Sequence, residues 1–311
     1  MTSVAMSEAG HRPVRLGKGG PRTQILYGYL FAAPGLLIAV GLILYPLVYG
    51  VIVSFHQWNW TQGQADNMVF IGLENYVRML GDPFFWSALK NTLYFTALAL
   101  VAELLLGLGC ALLLNNITRG SLIFRTALIF PLMISDIVAA IVWKMLLDPS
   151  LGHVNYLLSV LHMPTPNWLT DPQLVVPAVA LVETWWNTGV VILILLAGLQ
   201  SLSPEPAEMA RVDGASERQV FLHITLPRLR PFIWTAVIFR TIDLFRVFAI
   251  VWGTTGGGPA RASQVTQLYL YLQGVGSYLY IGYATALAVT FAVLIGIIIL
   301  VYMRFVQGVD E

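Results

Sequence analysis

Six long apolar runs decide what this chain of 311 residues can become; they span about 25–54, 91–114, 122–146, 174–198, 232–252 and 283–305. A helix needs about 20 mostly apolar residues to cross a bilayer, where no water is present to satisfy an open backbone. Only 11% of the residues are charged, against about 25% in a soluble domain, so little of the chain can face water. The fold expected is an all-α integral membrane protein. It would have six transmembrane helices and one transmembrane domain over 25–311, preceded by a polar, basic tail over 1–24 without a cleavable pattern. The first run is over-long and contains Pro34 and Pro46, as a tilted or kinked helix would.

Orientation follows from the basic residues. Six crossings put both termini on one side. That side holds Arg12, Arg15, Lys18, Arg22, Arg119, Arg125, Arg211, Arg218, Arg228, Arg230 and Arg304, out of 17 Lys and Arg in all. The opposite side holds or borders Arg78, Lys90, Lys144 and Arg261, and Arg240 and Arg246 fall within the fifth run. Positive charge stays inside, so both termini are expected in the cytoplasm of a multi-pass plasma (inner) membrane protein. A net charge of +1 gives no reason to expect nucleic acid. The external loops, about 55–90, 147–173 and 253–282, are rich in aromatics: Trp58, Trp60, Phe84, Phe85, Trp86, Trp168, Tyr278 and Tyr280. They read either as an interfacial belt or as a docking surface.

No Ser/His/Asp arrangement of a catalyst stands out in the sequence. No G-x-x-x-x-G-K-[ST] phosphate loop occurs, and GKGG (17–20) and TGGGP (255–259) have neither its spacing nor a following helix. His11, His56, His153, His162 and His223 have no ligand spacing, so no metal is expected. The single Cys110 excludes an internal disulfide.

Between the fourth and fifth runs stands a polar loop, 200–231, containing EMARVDGASERQVFLHITLP (208–227). Ser203 can cap a helix with Pro204 in first position and Glu205 and Glu208 in its opening turns. Gly214 can end that helix. Ser216 with Gln219 has capping-box spacing for a second, carrying Val220, Phe221 and Ile224 on one face and expected to stop before Pro227. The result is a helical hairpin whose apolar face must be buried, against the bundle's base or against another protein.

Glu208, Ala210, Gly214, Ile224, Leu226 and Pro227, with nine residues between Gly214 and Ile224, resemble the cytoplasmic EAA loop of ABC-importer permeases; Met209 departs from the usual first alanine. ERQVFLHITLPRLRP is close to the form in carbohydrate-importer permeases of the maltose, trehalose and glycerol-3-phosphate type. FIGLENYVRML (70–80), NTLYFT (91–96), LDPSLGHVNYLL (147–158), NWLTDP (167–172), TGGGPARASQVT (255–266) and IGYATALAV (281–289) extend the resemblance over nearly the whole chain. The resemblance implies a permease subunit working with a second homologous permease, two copies of a cytoplasmic ATPase subunit and an extracytoplasmic solute-binding protein, in a lipid bilayer, with a carbohydrate as substrate. It implies no cofactor on this chain, since ATP and Mg would be bound by the ATPase subunits. Glu208, Ala210, Asp213, Gly214, Phe221, Ile224, Leu226 and Pro227 would couple to the ATPase. Thr255, Gly256, Gly257, Gly258 and Pro259 would form a loop contacting the binding protein, or an ordinary turn; so many glycines leave that stretch without rigidity of its own.

Ionisable residues inside spans usually face a cavity or a partner; here they are Glu103, Asp136, Lys144, Glu183, Arg240, Asp243 and Arg246. Arg240 and Asp243 are i, i+3 and can pair on one face. ETWWNTG (183–189) offers aromatic platforms and an amide, the chemistry that holds sugars. Trp185 is a further candidate platform. By position relative to the EAA-like Glu208, the resemblance places Trp186, Asn187, Val190, Arg240, Asp243 and Leu244 on the substrate pathway. Bulky packing and a salt-bridge clamp are the plainer readings of the same residues. A glycerol-3-phosphate-type permease, with Arg240 meeting phosphate, is the alternative within the class. An ion-coupled secondary transporter using the carboxylates is the alternative outside it, although the two halves lack evident inverted repeats.

Overall fold

The computed structural model describes residues 21–62, 68–117 and 119–307. Most of the tail expected over 1–24, with Arg12, Arg15, Lys18 and the GKGG stretch, lies outside the described residues. The chain divides into two compact units, Met1–Gly50 and Val51–Glu311.

Helix α1 (Pro21–Ala39) runs through a π turn (Val40–Leu44) into α2 (Tyr45–Ser54). The π turn answers Pro46. A proline cannot donate to the carbonyl four residues back and its ring crowds that carbonyl. The wider winding, with the Tyr45 N–H bonded to the Val40 oxygen, makes room without ending the helix.

In the second unit a two-stranded hairpin, β1 (His56–Gln57) with β2 (Val69–Phe70), is antiparallel with His56 opposite Phe70. It precedes α3 (Glu74–Leu80) and α4 (Pro83–Asn116). Then come α5 (Ser121–Ile129), α6 (Asp136–Leu146), α7 (His153–Val160), α8 (Val175–Ser201), α9 (Glu205–Val212), α10 (Glu217–Val220), α11 (Leu226–Phe245), α12 (Ala249–Thr254), α13 (Thr266–Tyr271) and α14 (Ile281–Gln307). The core lies where α4, α8 and α11 pack, with Phe95, Ala99, Val182, Ile192, Leu195, Leu229, Ala236 and Leu244 all closed to solvent. Gly107 of α4 marks the closest approach: a Cβ there would lie 2.5 Å from Val191 Cγ1 of α8. Backbones in a membrane bundle approach this closely only over small residues.

Among the described residues four helices are long and apolar enough to cross a membrane: Tyr27–Ser54, Pro83–Asn116, Val175–Ser201 and Ile281–Arg304. The two other runs expected to be continuous spans are broken. Over 122–146, Ser121–Met133 and Asp136–Leu146 meet at 97° and together make a fifth candidate crossing. Pro131 removes a donor inside the short 3-10 turn Phe130–Met133, and Ser135 is extended. Over 232–252, α11 stops at Phe245, Arg246 to Phe248 leave helical geometry, and α12 restarts at Ala249.

Candidate functional site

The two breaks meet. Asp136, at the start of α6, and Arg246, Val247, Phe248, Ala249 and Ile250, from the α11–α12 break, line one cavity of about 410 Å³ together with Glu183, Trp186 and Asn187 of α8 and Arg240 and Asp243 of α11. Non-helical backbone at membrane depth is tolerated only where protein buries it or a wet cavity receives it. The cavity thus accounts for the breaks. Asp136 also satisfies the new helix start by accepting from the Ile137 N–H at 2.8 Å.

One wall is an ionic cluster. Arg240 is 1% exposed. Its Nε donates to Glu103 Oε2 at 2.7 Å, its Nη2 donates to Glu103 Oε1 at 2.9 Å and to Glu183 Oε1 at 2.8 Å, and its Nη1 donates to Asp243 Oδ2 at 3.2 Å. Asn187 Nδ2 donates to Glu183 Oε1 at 2.7 Å. The guanidinium therefore spends four of its five N–H donors on carboxylates from three helices. The expected Arg240–Asp243 pair exists, but it is the longest of these contacts. The bidentate bond to Glu103 is the main one, and nothing in the local sequence pointed to it because 137 residues separate the partners.

Of the pathway residues expected from the sequence, Trp186, Asn187, Arg240 and Asp243 reach the cavity, and Trp185, Val190 and Leu244 do not line it. Trp186 is fixed by donating Nε1–H to the Ile134 carbonyl at 2.9 Å, across to the break before α6. Trp185 packs edge-on against Trp143 of α6, with ring centroids 5.5 Å apart. Leu244 is core. Lys144 is exposed at the far end of α6, away from the cluster.

The polar loop folds as a hairpin of α9 and α10. Gly214 has φ +87°, the left-handed turn residue that ends α9. The capping box is present: Ser216 N–H donates to Gln219 Oε1 at 2.8 Å and Gln219 N–H donates to Ser216 Oγ at 3.4 Å. Two expectations are corrected. Pro204, not Ser203, holds the cap position of α9, and no side-chain cap bond forms; the Ser203 carbonyl instead accepts from Arg228 Nη1 at 2.9 Å. The second helix does not stop before Pro227. It continues through a π turn (Phe221–Thr225) into α11, the same solution used at Pro46, with the Leu226 N–H bonded to the Phe221 oxygen. Sequence reading also missed the clasp from Arg211 to Glu217, which closes the hairpin with bonds of 2.6 and 3.1 Å. The Arg211 guanidinium holds the Glu217 carboxyl below its usual range. Val220 is buried; Phe221, Ile224, Leu226, Pro227 and Ala210 are half-buried; and Glu208 and Asp213 are exposed, as are Met209 and Val212 on α9.

The glycine-rich stretch is better held than expected. Thr255 Oγ1 and Ser263 Oγ are 2.8 Å apart, Ser263 Oγ donates to the Gly258 carbonyl at 2.6 Å, and the Gly257 N–H donates to Thr255 Oγ1 at 3.1 Å. Gly256 is exposed, Gly257 is buried, and Thr255, Gly258 and Pro259 are half-buried. Asn91 of α4 fastens the stretch by donating to the Arg261 and Gln264 carbonyls at 3.2 and 3.1 Å. At the same end of the unit Asp82 caps α4, accepting from the Phe84 N–H at 2.9 Å, from the Tyr283 hydroxyl at 2.6 Å and from the Tyr269 hydroxyl. Among the aromatics assigned to a belt or a docking face, Phe85 is buried and Trp168 packs on the core, while Trp60, Phe84, Trp86, Tyr278 and Tyr280 are exposed.

Known proteins resemble this chain over most of its length. It is 33% identical over 278 residues, 89% of this chain and 92% of the relative, to the trehalose/maltose transport system permease protein MalF of Thermococcus litoralis. It is 34% identical to the sulfoquinovosyl glycerol transport system permease protein SmoG of Agrobacterium fabrum, over 92% of each chain. A solved bacterial alginate ABC transporter, in complex with its alginate pentasaccharide-bound periplasmic protein, contains a chain that superposes with a TM-score of 0.78 at 26% identity, covering 93% of this chain and 96% of that one. Residues 103–310, which carry the ionic cluster, the cavity and the hairpin, match the binding-protein-dependent transport system inner membrane component. The chain belongs to that family of ABC-transporter permease subunits.

Proposed function

We propose that this chain forms half of the translocation pathway of an ATP-driven, binding-protein-dependent sugar importer. The observation that carries the reading is the cavity where both helix breaks converge. A sugar needs polar groups for its hydroxyls and an aromatic face for its C–H surface, and Asn187, Asp136, Asp243 and Trp186 supply both. The relatives' names, which specify trehalose/maltose and sulfoquinovosyl glycerol, favour a glycoside over other solutes. Six crossings, with α5–α6 and α11–α12 as broken ones, would leave both termini in the cytoplasm and the α9–α10 hairpin facing an ATPase. Exposed Met209 and Val212 beside Glu208 make that hairpin a fit for a groove on such a partner. A second permease, two ATPase subunits and an extracytoplasmic binding protein complete the assembly, and Thr255–Pro259 would meet the last of these through Gly256 and its neighbours.

The glycerol-3-phosphate reading relied on Arg240 as a phosphate ligand, and Arg240 is already engaged by carboxylates. The ion-coupled reading relied on the carboxylates inside the spans, of which Glu103 and Glu183 are bonded to Arg240, and it leaves the α9–α10 hairpin unexplained. The test is ATPase activity of the complex in lipid nanodiscs, with and without the binding protein, across a panel of sugars and glycerol-3-phosphate. Stimulation that needs both the binding protein and one sugar is the expected result. A chain that purifies without an ATPase and takes up solute on an ion gradient would overturn it.

A further inference from the structure

A second cavity, also of about 410 Å³, opens at the end of the unit where Asp82 caps α4, lined by Arg78, Asp82, Phe84, Arg261, Tyr278 and Tyr280 among others. Its size is within the range of about 300–1,000 Å³ usual for small-ligand sites. Two guanidiniums flank a pair of tyrosines. The Tyr278 and Tyr280 rings are stacked, 6.3 Å apart at 5°. Arg78 lies 5.2 Å over Tyr280 and 4.2 Å over Tyr283, and Arg261 lies 3.9 Å over Phe84.

These cations are held by ring faces rather than by anions. Among the described residues Arg78 donates no hydrogen bond, and the Arg261 side chain makes one, of 3.4 Å, to the Tyr278 hydroxyl. The one carboxylate present, Asp82, forms no ion pair with either and already accepts three hydrogen bonds. The cavity therefore carries two positive charges against one negative, with most of its guanidinium donors unused. Planar guanidinium edges match a carboxylate or sulfonate bidentately. Gln273 borders the cavity, is 7% exposed and has a fixed orientation. The Tyr269 proton goes to Asp82, so its oxygen accepts from Gln273 Nε2 at 2.8 Å, which leaves Gln273 Oε1 without a donor among the described residues.

We propose that this cavity binds a sugar bearing an acidic group, with the carboxylate or sulfonate held by Arg78 and Arg261 and the ring laid along Tyr278 and Tyr280. The inference rests on the importer reading for the side of the membrane it faces, and it makes the cavity a station for solute outside the central one.

The test is equilibrium binding of D-glucuronate and D-glucose to the whole complex in phosphatidylcholine nanodiscs, without ATP or binding protein. Glucuronate is expected to bind at least tenfold more tightly than glucose. Arg78→Gln or Arg261→Gln should weaken glucuronate at least tenfold, and Tyr278→Ala should weaken both sugars. These ring and guanidinium positions are at or near the surface, and the melting temperature of each variant reports its folding. Equal binding of the two sugars, or arginine variants that bind glucuronate like the parent, overturns the inference. Displacement by inorganic phosphate or by phosphatidylglycerol at equal affinity reduces the cavity to a general anion or lipid-headgroup site and overturns it too. So does a loss confined to binding-protein affinity, which would make the patch a protein-docking surface. A complex whose ATPase still responds to binding protein and sugar, yet which ignores glucuronate, sinks this inference alone and leaves the importer reading standing.

Discussion

A guanidinium closed to solvent among carboxylates from two neighbouring helices and its own is stable only as a set, because each member left alone would be an uncompensated charge in a low-dielectric interior. Removal of one partner should therefore cost more the more charge it strands. Glu103→Gln leaves Arg240 paired with Glu183 and Asp243, whereas Arg240→Met strands two buried carboxylates. Arg240→Met is expected to destabilise by about 3–5 kcal/mol and Glu103→Gln by less. The double variant should be more stable than Arg240→Met alone; thermal melts of the detergent-solubilised complex read all three, and equal losses would deny the network its role. The sequence exposed the charges, since ionisable residues inside apolar runs stand out, but it did not reveal which of them meet. Gly214 was legible as the residue that ends α9. Its φ of +87° has open space where a Cβ would go, so substitutions there are limited by backbone strain alone. Gly214→Ala should cost the hairpin about 1 kcal/mol or somewhat more, with Gly214→Asn losing less, as resolved by hydrogen exchange of α9 and α10.

At the level of elements, the apolar runs located the helices because hydrophobic length is what a bilayer selects. They concealed the breaks at Pro131 and at Arg246–Phe248, since apolar composition continues through a kink whose cause is a missing donor or a tertiary contact. The π turns were hidden for a related reason: Pro227 has the sequence of a stop and becomes a continuation once the winding widens ahead of it. The cap of α4 shows an element whose stability should depend on pH. Burial pushes the Asp82 carboxyl up, but the hydroxyls of Tyr269 and Tyr283 and the N–H groups of Phe84 and Phe85 together outweigh it and hold the carboxyl below its ordinary 3.8. A lowered value in the folded state means that the stabilisation is fully present above the ordinary value and disappears as pH falls through the folded one. The advantage of the parent over Asp82→Asn should therefore be constant from pH 7 to about 5 and shrink only in stronger acid. Melting curves across that range would show it, and a difference that changed near neutrality would point to another group.

Across the second unit, the hairpin and the central cavity belong to one continuous helical path. From Glu217 to Phe245 the chain runs through α10, the π turn and α11 without leaving helix, a rod of about 40 Å at 1.5 Å per residue. One end is the hairpin, clasped by Arg211 and Glu217; the other carries Arg240 and Asp243 and stops at the break that lines the cavity. A rod transmits displacement only if it is stiff, so the coupling predicted for the hairpin should be lost in two separable ways. Glu208→Lys or Gly214→Pro would spoil the docking end, and the complex should insert normally but lose both uptake and stimulated ATPase activity. Thr235→Gly with Phe239→Gly, at two exposed positions along the rod, softens its middle by about 1 kcal/mol per glycine and leaves the hairpin and the cavity residues in place. That pair should keep basal ATP hydrolysis and sugar binding while stimulation by binding protein and sugar falls several-fold. The same change at Val293 and Ile297, exposed on α14, should leave stimulation intact. Assays of ATPase activity and uptake on reconstituted complexes compare the two pairs directly, and equal effects would mean that α11 carries no more of the signal than any other helix.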